Sequence, residues 1–132
     1  MTRSTAGRWA VVAFVGAGLA VTGEAVTTAG AAKTHKPATL NLKADPGGAL
    51  MFNKTTLNAK AGKVKLVMKN PGSSGQDHGI AVKGQGLDKD GKIVHPGKTS
   101  TVTVTLKSGK YSFYCPVVGH RGAGMKGHIF VK

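Results

Sequence analysis

Apolar and polar residues alternate with period two over several short stretches: Leu40 and Leu42, then Val64, Leu66 and Met68, then Val102, Val104 and Leu106, with threonines and lysines among the residues between. That period puts apolar side chains on one face of an extended chain and polar ones on the other, so these stretches are predicted as half-buried antiparallel strands. Shorter apolar runs at 50–52, 80–82, 93–94, 111–115 and 129–131 fit the same scheme, which makes about eight strands. Turn chemistry separates them at Asp45-Pro46-Gly47-Gly48, Ala61-Gly62, Asn70-Pro71-Gly72, Asp90-Gly91, Pro96-Gly97 and Ser108-Gly109. No long helical period competes. The expected fold class is all-β, a small Greek-key β-sandwich of about eight strands, with a late hairpin from 99–106 and 110–115 and its longest polar connection over 83–92.

The first residues follow a different pattern. Arg3 and Arg8 precede an uncharged, mostly apolar run over 9–21, and the small residues Ala29-Gly30-Ala31-Ala32 come after Glu24. A basic start, a short apolar run and a small-residue site are the parts of a secretory signal, and the run is shorter than the roughly 20 residues of a spanning helix. The expected organisation is a signal peptide over 1–31, a flexible lead over 32–38 containing Pro37, and one folded domain over 39–132. The protein is expected to be exported across the cytoplasmic membrane, to the periplasm or beyond; if the segment is not cleaved, it anchors the domain to the membrane.

Charge and cysteine count narrow the chemistry. Among 132 residues the chain carries 19 Lys+Arg against 5 Asp+Glu, a net charge of +14, which falls to +13 once 1–31 is removed with Arg3, Arg8 and Glu24. Beyond residue 31 the only arginine is Arg121. Bidentate phosphate or guanine recognition therefore has little to work with, and no specific nucleic-acid binding is expected. A lysine-rich surface instead favours acidic partners and electrostatic attraction to an anionic membrane surface. One cysteine, Cys115, closes no internal disulfide and builds no multi-thiolate zinc site.

Cys115 belongs to the densest chemical motif of the chain, Cys115-x4-His120-x4-Met125, which ends a predicted strand in a loop with glycines at 119, 122 and 124. His78 lies just before the predicted strand at 80–82, where antiparallel pairing can bring it to the same end of the sandwich. A buried cysteine or methionine taken alone is ordinary packing. Two imidazoles, one thiolate and a thioether together are the ligand set of a mononuclear blue-copper site, in which soft sulfur favours Cu(I) and imidazole suits both oxidation states.

These residues resemble those of the cupredoxins, in the neighbourhood of plastocyanin, auracyanin and rusticyanin. The matching pieces extend over the domain: Leu57-Asn58-Ala59-Lys60-Ala61-Gly62, Asn70 with His78 beyond it, Val94-His95-Pro96-Gly97-Lys98 and Gly109-Lys110-Tyr111-Ser112-Phe113-Tyr114-Cys115. The resemblance implies a cupredoxin-like sandwich holding one type 1 copper ion, with His78, Cys115 and His120 as equatorial ligands and Met125 as the axial one. It departs from the family at Gly79, where an asparagine usually ties the two ligand loops. Asp77, on the other side of His78, is expected to lend negative charge to the site or to hold its loop through a lysine.

The implied function is that of a non-enzymatic carrier of single electrons between Cu(II) and Cu(I), exchanging them through His120. Its partner would be a transient, acidic redox protein (an oxidase, a cytochrome or a reductase), and the carrier itself a monomer. The competing reading is a copper-binding protein that scavenges or delivers the metal outside the cytoplasm. His95 and His128 are expected to be exposed or structural.

Overall fold

A computed structural model describes residues 36–132. The signal-peptide reading of 1–31 lies outside the described residues. The strands are β1 (Ala38–Lys43), β2 (Thr56–Ala59), β3 (Gly62–Lys69), β4 (Ala81–Gly84), β5 (Leu87–Asp90), β6 (Thr99–Leu106), β7 (Gly109–Tyr114) and β8 (Lys126–Val131). A single 3-10 turn, Gly72–Ser74, is the helical element among the described residues. The strands form two sheets, ordered β1-β3-β6 and β2-β8-β7-β4-β5.

Alternation is what packs them together. On β3 the residues Val64, Leu66 and Met68 are fully buried, and on β6 Val102, Val104 and Leu106 face the same interior. The larger sheet answers with Leu57, Val82, Tyr111, Phe113, Ile129 and Val131. Phe52 lies against Phe113 at 5.6 Å between ring centroids, tilted by 53°, a favourable aromatic geometry. Fully burying each large apolar side chain contributes about 1.5–3 kcal/mol relative to exposure.

The all-β expectation holds, and the strand count with it, but four details differ. β1 runs parallel to β3 and β2 parallel to β8, so the sheets are mixed and not purely antiparallel. The expected hairpin of 99–106 with 110–115 does not form: β6 pairs with β3, whereas β7 pairs with β8 and β4, and the chain crosses between sheets at Gly109 (φ 138°). Period two cannot separate a hairpin from such a corner, since both keep the apolar face inward. The stretch 83–92 is mostly not a connection. It contains the β4–β5 hairpin, closed by Gln85 (φ 49°) and Gly86 (φ 79°) between the paired Gly84 and Leu87. Both central residues have the positive φ of a type I′ turn. Finally, the runs at 50–52 and 93–94 supply only isolated bridges, Ala44 to Phe52 and His78 to Val94, while the remaining two strands of the eight are β2 and β5. β5 presents only Leu87 inward and β2 only Leu57 and the small Ala59, too little for a visible period.

β8 starts against β7 through a glycine. At Gly127 any Cβ would overlap the Phe113 ring and the Thr55 carbonyl oxygen. Gly127→Ala is therefore expected to cost roughly 1–3 kcal/mol, read as a lower denaturant midpoint at unchanged m-value.

Candidate metal centre

Three loops meet at one end of the sandwich. The segment after β3 is fixed by Asn70, which is fully buried. Its side-chain amide donates to the Gln76 carbonyl (2.9 Å) and the Val94 carbonyl (3.0 Å), and its oxygen accepts from the Ser74 hydroxyl (2.6 Å). Its backbone N–H donates to Lys98 O, and its carbonyl accepts from Gly97 N–H. One side chain thus satisfies groups in two connections that lie outside the strands. His78 follows, locked by reciprocal backbone bonds with Val94 at 3.1 and 2.8 Å.

The third loop leaves β7 at Cys115 and returns to β8 after Met125. Cys115 N–H donates to Met125 O (3.0 Å), Met125 N–H to His120 O (3.0 Å) and His120 N–H to Val117 O (3.1 Å). The ten-residue excursion therefore closes on itself and returns Met125 to the side of Cys115. Both are fully buried, as is His78, and His120 is partly exposed.

Within this frame His78, Cys115 and His120 come together, with their donor atoms within 4.8 Å of one another. Nδ1 of His78 lies 3.9 Å from Cys115 Sγ, and Nδ1 of His120 lies 3.6 Å from it. The two imidazole rings are 5.1 Å apart at 58°. A first-row metal ion bound at about 2.0–2.1 Å by nitrogen and about 2.3 Å by sulfur would hold such donors roughly 3.5–3.8 Å apart. The observed 3.6 Å falls in that range and 3.9 Å just above it, and the arrangement with Met125 fits a single type 1 copper site.

Electrostatics prepare the cluster for a cation. Burial lowers the His78 pKa, His120 nearby lowers it further, and Asp77 partly opposes both. His78 is thus a neutral donor. Burial pushes the Cys115 thiol up, against the backbone N–H groups of Gly79 and Val117, which favour the thiolate. The Gly79 N–H lies 3.4 Å from Sγ. His78 Nε2 is buried without a hydrogen-bond partner among the described residues. Its ring is held by packing and by the Val94 backbone pair, where a metal-ligating histidine ordinarily uses its second nitrogen.

The expected roles of neighbours need revision. Asp77 does hold its loop, but through His95 (Oδ1 to Nδ1, 2.7 Å) and not through a lysine. His95 and His128 are exposed, as expected. Gly79 takes no part in a side-chain tie; it is buried, and a Cβ there would stand 3.0 Å from Pro116 Cγ and 3.2 Å from Lys92 O. Two other residues do the tying, Asn70 being part of the family resemblance with no role assigned and Ser100 not singled out at all. The Ser100 hydroxyl accepts from Ile80 N–H (3.3 Å) and donates to Lys92 O (2.5 Å). Ser100 was visible as the one hydroxyl on the inward register that continues as Val102, Val104 and Leu106.

Comparison with known proteins agrees with this geometry. The model of the cupredoxin-like domain family matches residues 11–131. Among solved structures the chain is similar to auracyanin B, at 25% identity over 74% of this chain and 91% of that one, with a TM-score of 0.65. It is also similar to auracyanin A, a "blue" copper protein from the green thermophilic photosynthetic bacterium Chloroflexus aurantiacus, at 25% identity over 74% of this chain and 100% of that one, with a TM-score of 0.61. Copper nitrite reductase from Nitrosomonas europaea shares the fold at 24% identity and a TM-score of 0.60, over 74% of this chain and 42% of that one. No curated protein matches the chain significantly.

Removing the Asn70 side chain takes one hydrogen bond each from the Ser74 hydroxyl and the Gln76 and Val94 carbonyls, leaving Ser74 to Gln76 at 3.3 Å and the His78–Val94 backbone pair to hold the segment. Asn70→Ala is expected to cost about 2–4 kcal/mol and to speed amide hydrogen exchange at His78 and Val94 more than in the β3–β6 ladder.

Proposed function

The chain belongs to the cupredoxin-like domain family, and on that premise we propose that it is an exported carrier of single electrons, with His78, Cys115, His120 and Met125 as the ligands of its copper. The observation that carries this reading is the pair of Nδ1 atoms at 3.9 and 3.6 Å from one buried thiol. A bound copper ion supplies a Cu(II)/Cu(I) couple. The residues of the chain supply the rest. Cys115 and His78 sit in the interior, where close packing limits how far donor atoms shift when charge changes. Gly79 and Val117 direct N–H groups at Sγ and temper its electron density. His120 is the donor that reaches the surface.

Around His120 the rim is apolar: Pro116 and Val117 are partly exposed, and Val118 is 96% exposed. Such a rim suits brief docking, since transient redox interfaces are small. The surplus of lysines supports an acidic partner, reached at salt-sensitive rates. Burial of three of the four donors favours retention of the metal over its delivery. No substrate is transformed in this reading. The basic start and apolar run over 9–21 support export, with the domain beginning near residue 39.

Visible absorption and electron paramagnetic resonance of the copper-loaded protein test the proposal. An intense visible band with narrow copper hyperfine splitting, bleached by a mild reductant and restored by oxidation, is expected. Cys115→Ser should abolish the band, because the charge transfer needs the thiolate. Met125→Leu should keep it and raise the reduction potential, because Cu(II) loses a donor. A colourless protein with ordinary tetragonal copper would overturn the reading.

Loading should also depend on pH. With its pKa raised by burial, Cys115 holds its proton at neutral pH in the metal-free protein, and His78, with its pKa lowered, holds none. Copper binding then releases one proton, and apparent affinity should rise about tenfold per pH unit while the thiol is protonated. Affinity falls further in acid, where His78 also binds a proton, at lower pH than an ordinary histidine. Copper titrations in weakly buffered solution at two pH values read both effects.

A further inference from the structure

The outer face of the β1-β3-β6 sheet carries charge of one sign. β3 turns Lys63, Lys65 and Lys69 outward, Lys43 of β1 stands in register with Lys69, and β6 lines the other side with threonines. Lys63 and Lys69 are about 20 Å apart along the strand. Lys54 lies beside them, its ammonium donating to the Asn41 carbonyl at 3.2 Å. Between these elements opens a groove of about 420 Å³, with Leu42 and Val67 in its lining and Lys43, Lys54, Lys69 and Asn41 among the polar residues around them.

Among the described residues no carboxylate forms an ion pair with these lysines. The ion pairs among the described residues are Lys83 with Asp88 and His95 with Asp77, and neither involves a lysine of this sheet. Asp45, next along the chain after β1, is committed to the N–H groups of Gly47 and Ala49. Asp90 accepts from the Tyr114 hydroxyl, which Asp88 shares.

We propose that this face docks on an anionic lipid bilayer, with a lipid phosphate seated in the groove at Lys43, Lys54 and Lys69. A protein partner would need buried aromatic or arginine anchors. The face offers none: its strand positions are lysine, threonine and asparagine, with Val67 half-buried as the apolar exception. Lysines spread over a flat sheet suit instead a fluid surface whose mobile anions gather beneath them. The metal site lies at the strand ends, so a domain resting on this sheet would open His120 along the membrane plane. The surface does not depend on the metal, so its failure would leave the copper reading untouched.

Lysine footprinting of the full chain tests it: acylation by a water-soluble reagent, read by mass spectrometry, with vesicles of phosphatidylcholine alone or containing phosphatidylglycerol. Protection of Lys43, Lys54, Lys63, Lys65 and Lys69 by the anionic vesicles only, lost in high salt, is the expected result. Lys83, Lys110 and Lys126, outward on the other sheet, should stay reactive. Equal protection on both sheets, or none, overturns the proposal, as does protection by a soluble acidic protein without protection by vesicles. Because the apolar run over 9–21 is present throughout, it cancels between the two vesicle types. The exposed triple variant K63Q/K65Q/K69Q should lose about a hundredfold in the preference for anionic over neutral vesicles, at roughly fivefold per lysine. The charge-matched K83Q/K110Q/K126Q should lose little. An equal loss in both variants would mean that net charge alone acts, and would overturn the docking face.

Discussion

Everything at the functional end of this protein depends on one buried thiol. Cys115 is the first residue past β7, and its backbone N–H is bound to Met125 while its sulfur accepts from Gly79. The first contact closes its own loop; the second reaches across to the segment that carries His78. A metal-free thiol in that position is costly to ionise, since burial disfavours the charged form. Two imidazole nitrogens facing it turn the same burial to advantage, because a cation among them restores the missing electrostatic balance. The sandwich serves to hold these donors at fixed separations.

The core strands were legible because β3, β6, β7 and β8 each repeat an inward apolar position at least twice. β2 and β5 were not, since β5 offers only Leu87 and β2 only Leu57 with the small Ala59, and their order comes from pairing with β8 and β4. The sheet assignment of β6 and β7 was equally hidden: alternation fixes which side faces inward but not which strand lies alongside. At the site, His78, Cys115, His120 and Met125 could be read from residue type and spacing. The roles of their supports could not, although Asn70 belongs to the matching pieces. Asn70 lies eight residues before His78 in a turn-like Asn-Pro-Gly, where an exposed asparagine would look the same, and only its burial discloses three hydrogen bonds.

The acidic residues show the opposite economy. Each aspartate described is spent on local structure, in a turn at Asp45, a loop tie at Asp77 and the Tyr114 hydroxyl at Asp88 and Asp90. That hydroxyl, desolvated and held by both carboxylates, has its pKa pushed up to about 12. Arg121 stacks 4.3 Å over the same ring, so the sole arginine beyond residue 31 is also engaged next to His120. The lysines are left to define the long-range field, while the short-range order is set by the few carboxylates.

Gly79 shows how the ligand loops can be tied without the usual asparagine. A side chain at this position would press on Pro116 and on the Lys92 carbonyl, so the two loops approach more closely than an asparagine would allow. Pro116 has no N–H of its own to offer the sulfur, and the donors come instead from the residues on either side of the contact, Gly79 and Val117. The rigidity lost with the side chain is restored one layer out. Asn70 fixes the segment before His78 and Ser100 fixes Ile80 just after it, so the histidine is held between two buried polar anchors, each bonded on more than one side. Constraint moves from one residue beside the ligand to two residues that bracket it.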